Sequence, residues 1–315
     1  MKKIFTKISL CVAVCILFSW ACNKSNPTTI NPQTSTLSYV LANGSQTTIF
    51  HSAVVKAGLD TVFNSPAIFT LLVPNDQACT QSGFSQSVID GFTMDQARAW
   101  VLYQTYAGTA LPFESFIGKI EEKLVMADGD SVFVSGDSNR TFVNGYQFLN
   151  SELAASNGVM LALQNVLLPP TKNLAQLIST DTSLSFLTEA ILLATPVPDT
   201  LRNTLATGGP FTFLAPVNDA FRSQGYTMPA DLTAVSPDSL RSMILLSMIP
   251  SRLFSYDIAD SSSYKTVNDS TLFFSNPGFQ PAVRLLGDST YSNIITLNIM
   301  ATNGVLFKID SLLVR

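Results

Sequence analysis

The chain has 315 residues, a formal net charge of −4, one histidine, and a composition that is 46% hydrophobic and only 13% charged. A weakly acidic chain lacks the cationic surface that binding to nucleic-acid phosphates requires, and its apolar content is too high for a largely disordered protein. A single histidine also disfavours histidine-cluster zinc sites and multi-histidine acid–base catalysis. The length suggests two domains of ordinary size.

The first predicted element is a leader segment. Three lysines lie within the first seven residues, an apolar run follows from Ile8 to Trp20, and Ala21-Cys22 comes next. The run is shorter than the roughly 20 apolar residues of a membrane-spanning helix and is typical of a secretory signal peptide. A small residue directly before a cysteine at the end of such a run resembles the lipobox of bacterial lipoproteins. That resemblance implies removal of residues 1–21 and lipidation of Cys22, for instance with palmitate; a simple N-terminal membrane anchor is the alternative.

The segment after the leader is polar and contains two prolines, Pro27 and Pro32. Residues 22–35 are therefore predicted to be a lipidated cysteine followed by a disordered tether, which holds the folded body away from the membrane. The residue after Cys22 is Asn23, not the aspartate that retains many lipoproteins at the inner membrane. This favours the outer membrane of a cell envelope, and the side of the membrane that the protein faces stays open.

The remainder of the chain contains one pattern twice. FTLLVPNDQAC, from Phe69, matches FTFLAPVNDAF, from Phe211, and NGVMLALQNVLL, from Asn157, matches NGVLFKIDSLLV, from Asn303. The separations are 142 residues for the first pair (211 minus 69) and 146 for the second (303 minus 157), as loop insertions would produce. We therefore predict two domains of the same fold. They are residues 36–170, the first repeat, and residues 171–315, the second repeat, with the boundary near Pro169-Pro170.

Within each repeat the pattern predicts helices, a strand, more helices and then several strands. The first helices show apolar residues at helical spacing. These residues are Ile49, Ala53, Val54 and Ala57 in the first repeat, and Leu184, Leu187, Ile191 and Ala194 in the second. Short apolar strands are predicted at 69–73 and 211–215, each followed by a proline that ends it.

Later in each repeat, residues 95–103 and 237–248 are predicted to be helical, the second with Ser236 as N-cap and Pro237 at the first helical position. Near the C-terminus, apolar residues at 295, 297 and 299 alternate with polar ones, which predicts a strand with one apolar face toward the core. The predicted fold class is α+β, with helices packed at one side of a largely antiparallel sheet.

The two motifs resemble those of the fasciclin domain, which carries a Phe-Thr-x-x-x-Pro block and a later Asn-Gly-Val strand. The resemblance implies a tandem pair of fasciclin-like domains, each a β-sandwich or wedge with helices at one side. The Asn-Gly pairs are interpreted as turns that start a strand, and the residues after the prolines as caps of the next helix. The matching residues, all interpreted as structural, are Phe69, Thr70, Pro74, Asp76, Asn157, Gly158, Phe211, Thr212, Pro216, Asn218, Asn303, Gly304 and Asp310.

The fasciclin family often carries a Tyr-His pair, linked to adhesion, in its middle helix. This chain has Tyr103 followed by Gln104, and the second repeat has Leu246-Ser247 at the equivalent place. Tyr103 and Gln104 are therefore the candidate interaction residues. The loss of the histidine disfavours the animal-type adhesive mechanism.

The other polar candidates receive structural interpretations: a partly exposed helix position for His51, a core position for Cys79, a hairpin turn at Asp128-Gly129-Asp130 and solvated surface at Glu121-Glu122. Because the ligands are too few for a metal and the sequence has no phosphate-binding loop, nucleophile elbow or CxxC motif, we predict no metal, no cofactor and no enzyme activity.

The expected function is lipid-anchored binding or adhesion in the cell envelope. The expected partners are the membrane, through the lipid, and an envelope or extracellular protein or glycan, with no nucleic acid. The alternatives are an accessory lipoprotein of a polysaccharide-capture or envelope transport complex, and a structural spacer.

Overall fold

The computed structural model describes residues 31, 34–194, 200–277 and 281–313. The predicted leader, Cys22 and most of the predicted tether lie outside these residues. At the end of the tether, the N–H groups of Thr34 and Ser35 both donate to the carbonyl of Asn31. Ser35 is buried, and its carbonyl accepts from the N–H of Ser156 at 2.9 Å. The tether prediction is therefore wrong for Ser35, which packs against the first repeat.

The helices of the first repeat begin at clear capping signals. Thr36 Oγ1 accepts from the N–H of Tyr39 at the start of α1, and Thr93 and Gln96 form a capping box at the start of α6. The helix predicted at 95–103 is confirmed as α6. The helices are α1 (Leu37–Asn43), α2 (Thr48–Lys56), α3 (Asp60–Phe63), α4 (Asp76–Gln81), α5 (Gln86–Gly91) and α6 (Met94–Tyr103), with a 3₁₀ turn at Phe113–Phe116.

The strands of the first repeat form one seven-stranded sheet. The strands are β1 (Phe69–Pro74), β2 (Thr105–Ala107), β3 (Glu122–Val125), β4 (Ser131–Gly136), β5 (Thr141–Val143), β6 (Tyr146–Ala155) and β7 (Gly158–Leu163). Their order in the sheet is β2-β1-β7-β6-β5-β4-β3. β1 and β7 run parallel, from Phe69 opposite Gly158 to Pro74 opposite Leu163, and the other pairs are antiparallel.

The second repeat has a similar succession of helices, with a 3₁₀ turn in the place of α5. The predicted cap of its last helix is confirmed, because Ser236 Oγ accepts from the N–H of Ser239 and Pro237 is the first helical residue. That helix ends at Leu246 because Met248 pairs with the sheet. The helices are α7 (Leu174–Thr180), α8 (Ser185–Leu193), α9 (Thr200–Thr207), α10 (Asn218–Arg222) and α11 (Pro237–Leu246), with 3₁₀ turns at Thr182–Leu184 and Pro229–Ala234.

The second sheet repeats the strand order of the first. Its strands are β8 (Phe211–Pro216), β9 (Met248–Ile249), β10 (Ser263–Lys265), β11 (Thr271–Ser275), β12 (Ala282–Leu285), β13 (Ser292–Ala301) and β14 (Gly304–Ile309). The order is β10-β11-β12-β13-β14-β8-β9, with β8 parallel to β14. Strand for strand this is the order of the first sheet read from its other edge. The prediction that one fold occurs twice is confirmed.

The central strands are buried on both faces, which explains why they are continuously apolar. In β8, Phe213 belongs to the core beneath the helices, whereas Leu214 belongs to a second core on the other face of the sheet. In β14, Leu306 belongs to the core beneath the helices and Phe307 to the second core. The second core also receives side chains from β11 and β12, so the sheet curls over and encloses it. The α+β prediction of a wedge with helices at one side is confirmed.

The predicted apolar face of β13 is wrong. Ile295 is 54% exposed, whereas Ile294 is buried and Asn298 is only 7% exposed. The pairing of β13 with β14 shifts register twice, and Asn298 has a φ of +57°. Because each shift moves the following side chains to the other face, simple alternation cannot predict which of them point inward.

Candidate functional site

The asparagine of each Asn-Gly pair joins the sheet to two helices. Asn157 Oδ1 accepts from the N–H of Leu37 at 2.8 Å, at the start of α1, and its Nδ2 donates to the carbonyls of Phe63 and Ser65, at 2.8 Å each. Asn303 repeats the arrangement with Leu174, Leu205 and Gly208, at 2.9, 3.0 and 2.8 Å. Each side-chain amide therefore accepts from an N–H at the start of one helix and donates to two carbonyls in the last turn of another helix or just beyond it.

The glycine that follows each of these asparagines allows two strands to meet. A Cβ on Gly158 would lie well inside 3.0 Å of the Phe69 carbonyl oxygen, and a Cβ on Gly304 would lie equally close to the Phe211 carbonyl oxygen. Phe69 and Phe211 are the first residues of β1 and β8, which pair there with β7 and β14. The glycines are thus required by close backbone approach.

Thr70 and Thr212 tie the central strands to the loop that follows the neighbouring edge strand, which is β2 in the first repeat and β9 in the second. Thr70 Oγ1 donates to the carbonyl of Thr109 at 2.9 Å and accepts from the N–H of Leu111 at 2.8 Å. Thr212 Oγ1 makes the same pair of bonds with Ser251 and Leu253, both at 2.8 Å. Both threonines are fully buried, so their hydroxyl groups are used entirely inside the fold.

The polar residues after the strand prolines cap an earlier helix. Asp76 Oδ1 accepts from the N–H of Ile49 at 2.9 Å, and Asn218 Oδ1 accepts from the N–H of Phe186 at 3.2 Å. These bonds serve α2 and α8, whose own N-cap residues make no side-chain cap. The prediction of a cap for the next helix is correct for Asn75, which caps α4, but wrong for Asp76 and Asn218. The error arises because these caps join elements that are distant in sequence.

Asp310 fastens the end of β14 to the start of β13. Its two carboxylate oxygens accept from the N–H and Nδ2 of Asn293, at 2.9 and 2.6 Å, and it also accepts from the hydroxyls of Ser292 and Ser311. Partial burial acts to raise the pKa of this carboxyl, but the hydrogen bonds outweigh that effect and hold the pKa below its usual value. Pro74 and Pro216 end β1 and β8 opposite Leu163 and Ile309.

The candidate interaction pair does not lie on the surface. Tyr103 and Gln104 are each 0% exposed. Burial raises the pKa of Tyr103 to about 12, and Gln104 Nε2 donates to the carbonyl of Leu167 at 2.8 Å. The expectation that this pair could meet a partner is therefore wrong for the folded protein, because both side chains fill the interior.

The two repeats meet through aromatic side chains on the outer face of the first sheet. We call this contact the junction. The first repeat contributes β4, β5, their adjoining turns and the segment just before β3, and the second repeat contributes residues 252–257 and Asn298. The ring of Tyr256 stacks on Phe142 with 3.9 Å between centroids, and Arg252 lies over Phe133 at 4.1 Å. Asn298 Nδ2 donates across the junction to the carbonyl of Gly145 at 3.3 Å.

Polar groups also connect the repeats at the junction. Ser135 Oγ donates to Asp257 Oδ1 at 2.6 Å, and Tyr256 Oη donates to Asp137 Oδ2 at 2.9 Å. Glu121 lies beside them, half-buried, with a φ of +52° and its Oε1 buried without a hydrogen-bond partner. The prediction of solvated surface is therefore wrong for Glu121, although it is correct for its exposed neighbour Glu122.

The remaining polar candidates behave as predicted. His51 is a half-buried residue on α2, and Cys79 is fully buried, with burial raising the pKa of its thiol to about 12. Asp128-Gly129-Asp130 forms the β3–β4 hairpin turn, in which the N–H of Asp130 donates to Asp128 Oδ1 at 3.0 Å. Within the described ranges, no cluster of three or more histidine, cysteine or carboxylate groups could hold a metal ion.

The sequence profile of the Fasciclin domain matches the chain twice, over residues 45–169 and 188–315. The two matches cover most of the chain. The chain belongs to the fasciclin domain family. Each repeat is therefore one fasciclin domain, and the capped helices, paired central strands and Asn-Gly turns described above are the framework of that domain in this chain.

Relatives with curated descriptions share about half of this chain. The transforming growth factor-beta-induced protein ig-h3 of Oryctolagus cuniculus is 27% identical over 172 residues, and that of Sus scrofa is 29% identical over 176 residues. Both alignments cover 55% of this chain and 24% of the relative, so the chain spans about a quarter of the length of these relatives. Among solved structures, a fasciclin domain pair from the insect cell adhesion molecule Fasciclin I aligns over 84% of this chain and 96% of its own, with 14% identity and a TM-score of 0.41.

Sequence reasoning about the fasciclin domains missed the junction. Val132 and Val134 of β4 belong to the core of the first repeat, and Phe133 between them contributes to the core of the second. The sequence signal for the junction was Phe133 itself. Alternation along β4 places this large apolar side chain on the face assigned to solvent, which indicates that something covers it.

No helix in the described part of the chain is both long enough and apolar enough to cross a membrane.

Proposed function

We propose that this protein is a non-enzymatic binding or adhesion protein of the cell envelope, built from two fasciclin domains and held at the outer membrane by a lipid on Cys22. The observation that carries this proposal is the engagement of the motif residues inside the fold. The hydrogen-bonding groups of Asn157, Thr70 and Asp76 are taken up by backbone and side-chain partners of the same repeat, as are their counterparts in the second. Because the hydrogen-bonding groups of these motif residues stabilise the fold, we assign binding to other residues on the surface of the two domains.

A protein is the partner that we favour over a glycan. Sugar-binding platforms commonly use an exposed aromatic ring, and tryptophan supplies the largest one. Trp100 is only 5% exposed, and its ring is enclosed by Phe50, Phe84 and Phe92. It is the one tryptophan of the described residues, which therefore offer no exposed tryptophan ring to a sugar. A pair of fasciclin domains is consistent with an adhesion-type protein.

Binding is tested with the purified chain from Cys22 onward, immobilised through its N-terminus. Solubilised envelope proteins and a glycan array are applied to the native chain and to the heat-unfolded chain as control. We expect saturable retention of a specific protein by the native chain alone. Glycan binding without a protein partner would instead support the polysaccharide-capture alternative, and retention of neither would support the spacer.

The anchor that we propose is an acylated Cys22, because the apolar run before it is too short to span a membrane and ends in Ala21-Cys22. Stable attachment requires more than one acyl chain, which a lipoprotein cysteine carries. We expect Cys22→Ser to abolish incorporation of an alkyne-labelled fatty acid and to release the protein from the membrane fraction.

The matched control for the anchor is Cys15→Ser, which changes a cysteine within the apolar run. This variant should keep the label and the membrane attachment, because residue 15 is removed with the leader. Fatty-acid label that persists in Cys22→Ser would refute the proposed lipidation site, and mass measurement of the mature N-terminus would identify the site in use.

A further inference from the structure

Glu121 occupies an unusual position at the junction between the two fasciclin domains. Its N–H donates to Ser135 Oγ at 2.9 Å, and that hydroxyl donates in turn to Asp257 Oδ1 at 2.6 Å. The backbone of one domain is thus linked through a single serine to a carboxylate of the other. The side chain of Glu121 folds into the same space, where its Oε1 is buried and has no hydrogen-bond partner. A buried oxygen without a partner is costly when the carboxyl group is ionised.

The second domain places both a negative and a positive group near Glu121. Asp257 is the negative group, and its other oxygen accepts from the N–H of Phe254 at 3.0 Å. Arg252 is the positive group; it is 8% exposed and is engaged by the Phe133 ring and by the sulfur of Met300 at 3.8 Å. No ion pair in the described part of the chain joins Arg252 to either carboxyl group. The carboxyl groups of Glu121 and Asp257 therefore have one nearby cation, Arg252, and neither of them forms an ion pair with it.

The other charged groups around Glu121 have partners of their own. On its own segment, Lys119 pairs with Glu122 at 3.5 Å. On the β4–β5 hairpin, Arg140 pairs with Asp137 at 3.2 Å, and Asp137 also accepts the hydroxyl of Tyr256. These pairs lie at the edge of the junction and do not supply a counter-charge to the interior.

The consequence of this arrangement is a preference for protonated carboxyl groups. Burial, with a further contribution from the charge of Asp257 that exceeds the opposing effect of Arg252, raises the pKa of Glu121 from 4.5 to about 7. Burial also raises the pKa of Asp257, although the hydrogen bonds from Ser135 and Phe254 oppose the shift. Closing the junction around ionised carboxylates is therefore less favourable than closing it around neutral ones.

We propose that the junction is a proton-sensitive joint, closed when the carboxyl group of Glu121 carries a proton and loosened when Glu121 and Asp257 are both ionised. The closed joint binds more protons than the open one, in which Glu121 returns to its ordinary pKa. Its stability is therefore complete below a pH of about 4.5 and declines as the pH rises through about 7. Acidification would lock the two domains into one body, and neutral to alkaline medium would free them to present their surfaces separately.

Hydrogen exchange of the full mature chain tests the joint directly. The N–H of Glu121 donates to Ser135 Oγ within the first repeat, and the N–H of Phe254 donates to Asp257 Oδ2 within the second. Both acceptor residues also form the Ser135–Asp257 bond across the junction, so these two amides report its opening. After correction for the intrinsic chemical rate, we expect their protection to fall on the order of tenfold between about pH 5 and about pH 8. The amides of β7 and β14, in the centres of the domains, should keep their protection.

Glu121→Gln removes the titrating group with little change of shape and should lose more than half of the pH dependence, remaining protected at the higher pH. Glu122→Gln makes the same change at the exposed neighbouring residue and should behave as the wild type does. Constant protection in the wild type would overturn the proposal. So would a Glu121→Gln variant that keeps half or more of the wild-type pH dependence, or an equal loss in Glu122→Gln.

Discussion

Replacing Gly158 with alanine should lower the free energy of unfolding of the first repeat by about 4 kcal/mol or more, at the upper end of single-residue effects. The residue has a φ of +147°, and the added Cβ would lie well inside 3.0 Å of the Phe69 carbonyl oxygen. That oxygen belongs to a strand paired in parallel with β7, so it cannot retreat without breaking the pairing of both central strands. Urea unfolding followed by the fluorescence of Trp100, which lies in the core of this repeat, measures the loss.

Two further alanine variants separate the two causes. Gly304 faces the same clash, with the Phe211 carbonyl oxygen, but does not have a positive φ, so Gly304→Ala should also be severe in the second repeat. Gly83 has a φ of +82° and open space around it, so Gly83→Ala should cost only about 1 kcal/mol. If Gly158→Ala and Gly83→Ala cost the same, the close approach of the strands is not what requires glycine at 158.

The features that could be predicted from sequence are those fixed by neighbours along the chain. The Ser236-Pro237 helix start depends on a few consecutive residues, and the central strands are short apolar runs that end in proline. The repeat itself is visible because equivalent positions meet equivalent partners: Asn157 and Asn303 bind the same three places in their domains. Internal repetition therefore predicted the domain architecture before any single contact was known.

The features that could not be predicted depend on partners distant in sequence. Asp76 caps a helix that begins 28 residues earlier, at Thr48. Asn298 is turned inward by two register shifts and satisfies the N–H and the hydroxyl of Ser255. Glu121 is half-buried, and the charged groups that act on it, Asp257 and Arg252, belong to the second repeat. Charge, polarity and alternation predict exposure for a residue in isolation, and they fail where another domain replaces the solvent.

Asn157→Ala should lower the free energy of unfolding of the first repeat by about 3 to 5 kcal/mol. The substitution removes three hydrogen bonds at once, and each buried group left without a partner costs about 1–3 kcal/mol. The groups left unpaired are the N–H of Leu37 and the carbonyls of Phe63 and Ser65, and Asn157 itself is buried, so that water has little access to replace the lost amide. Because these bonds connect α1 and the end of α3 to the turn before β7, we expect the helices to lose hydrogen-exchange protection before the sheet does.

Asn150→Ala is the matched control, because it makes the same substitution at an exposed position of β6 in the same repeat. Surface changes of this kind usually alter stability by less than about 0.5 kcal/mol. Asn303→Ala should reproduce the effect of Asn157→Ala in the second repeat, since its three bonds are equivalent. A cost for Asn157→Ala no greater than that of Asn150→Ala would show that water replaces the amide, and the asparagine would then owe its place in the motif to the backbone conformation of the turn.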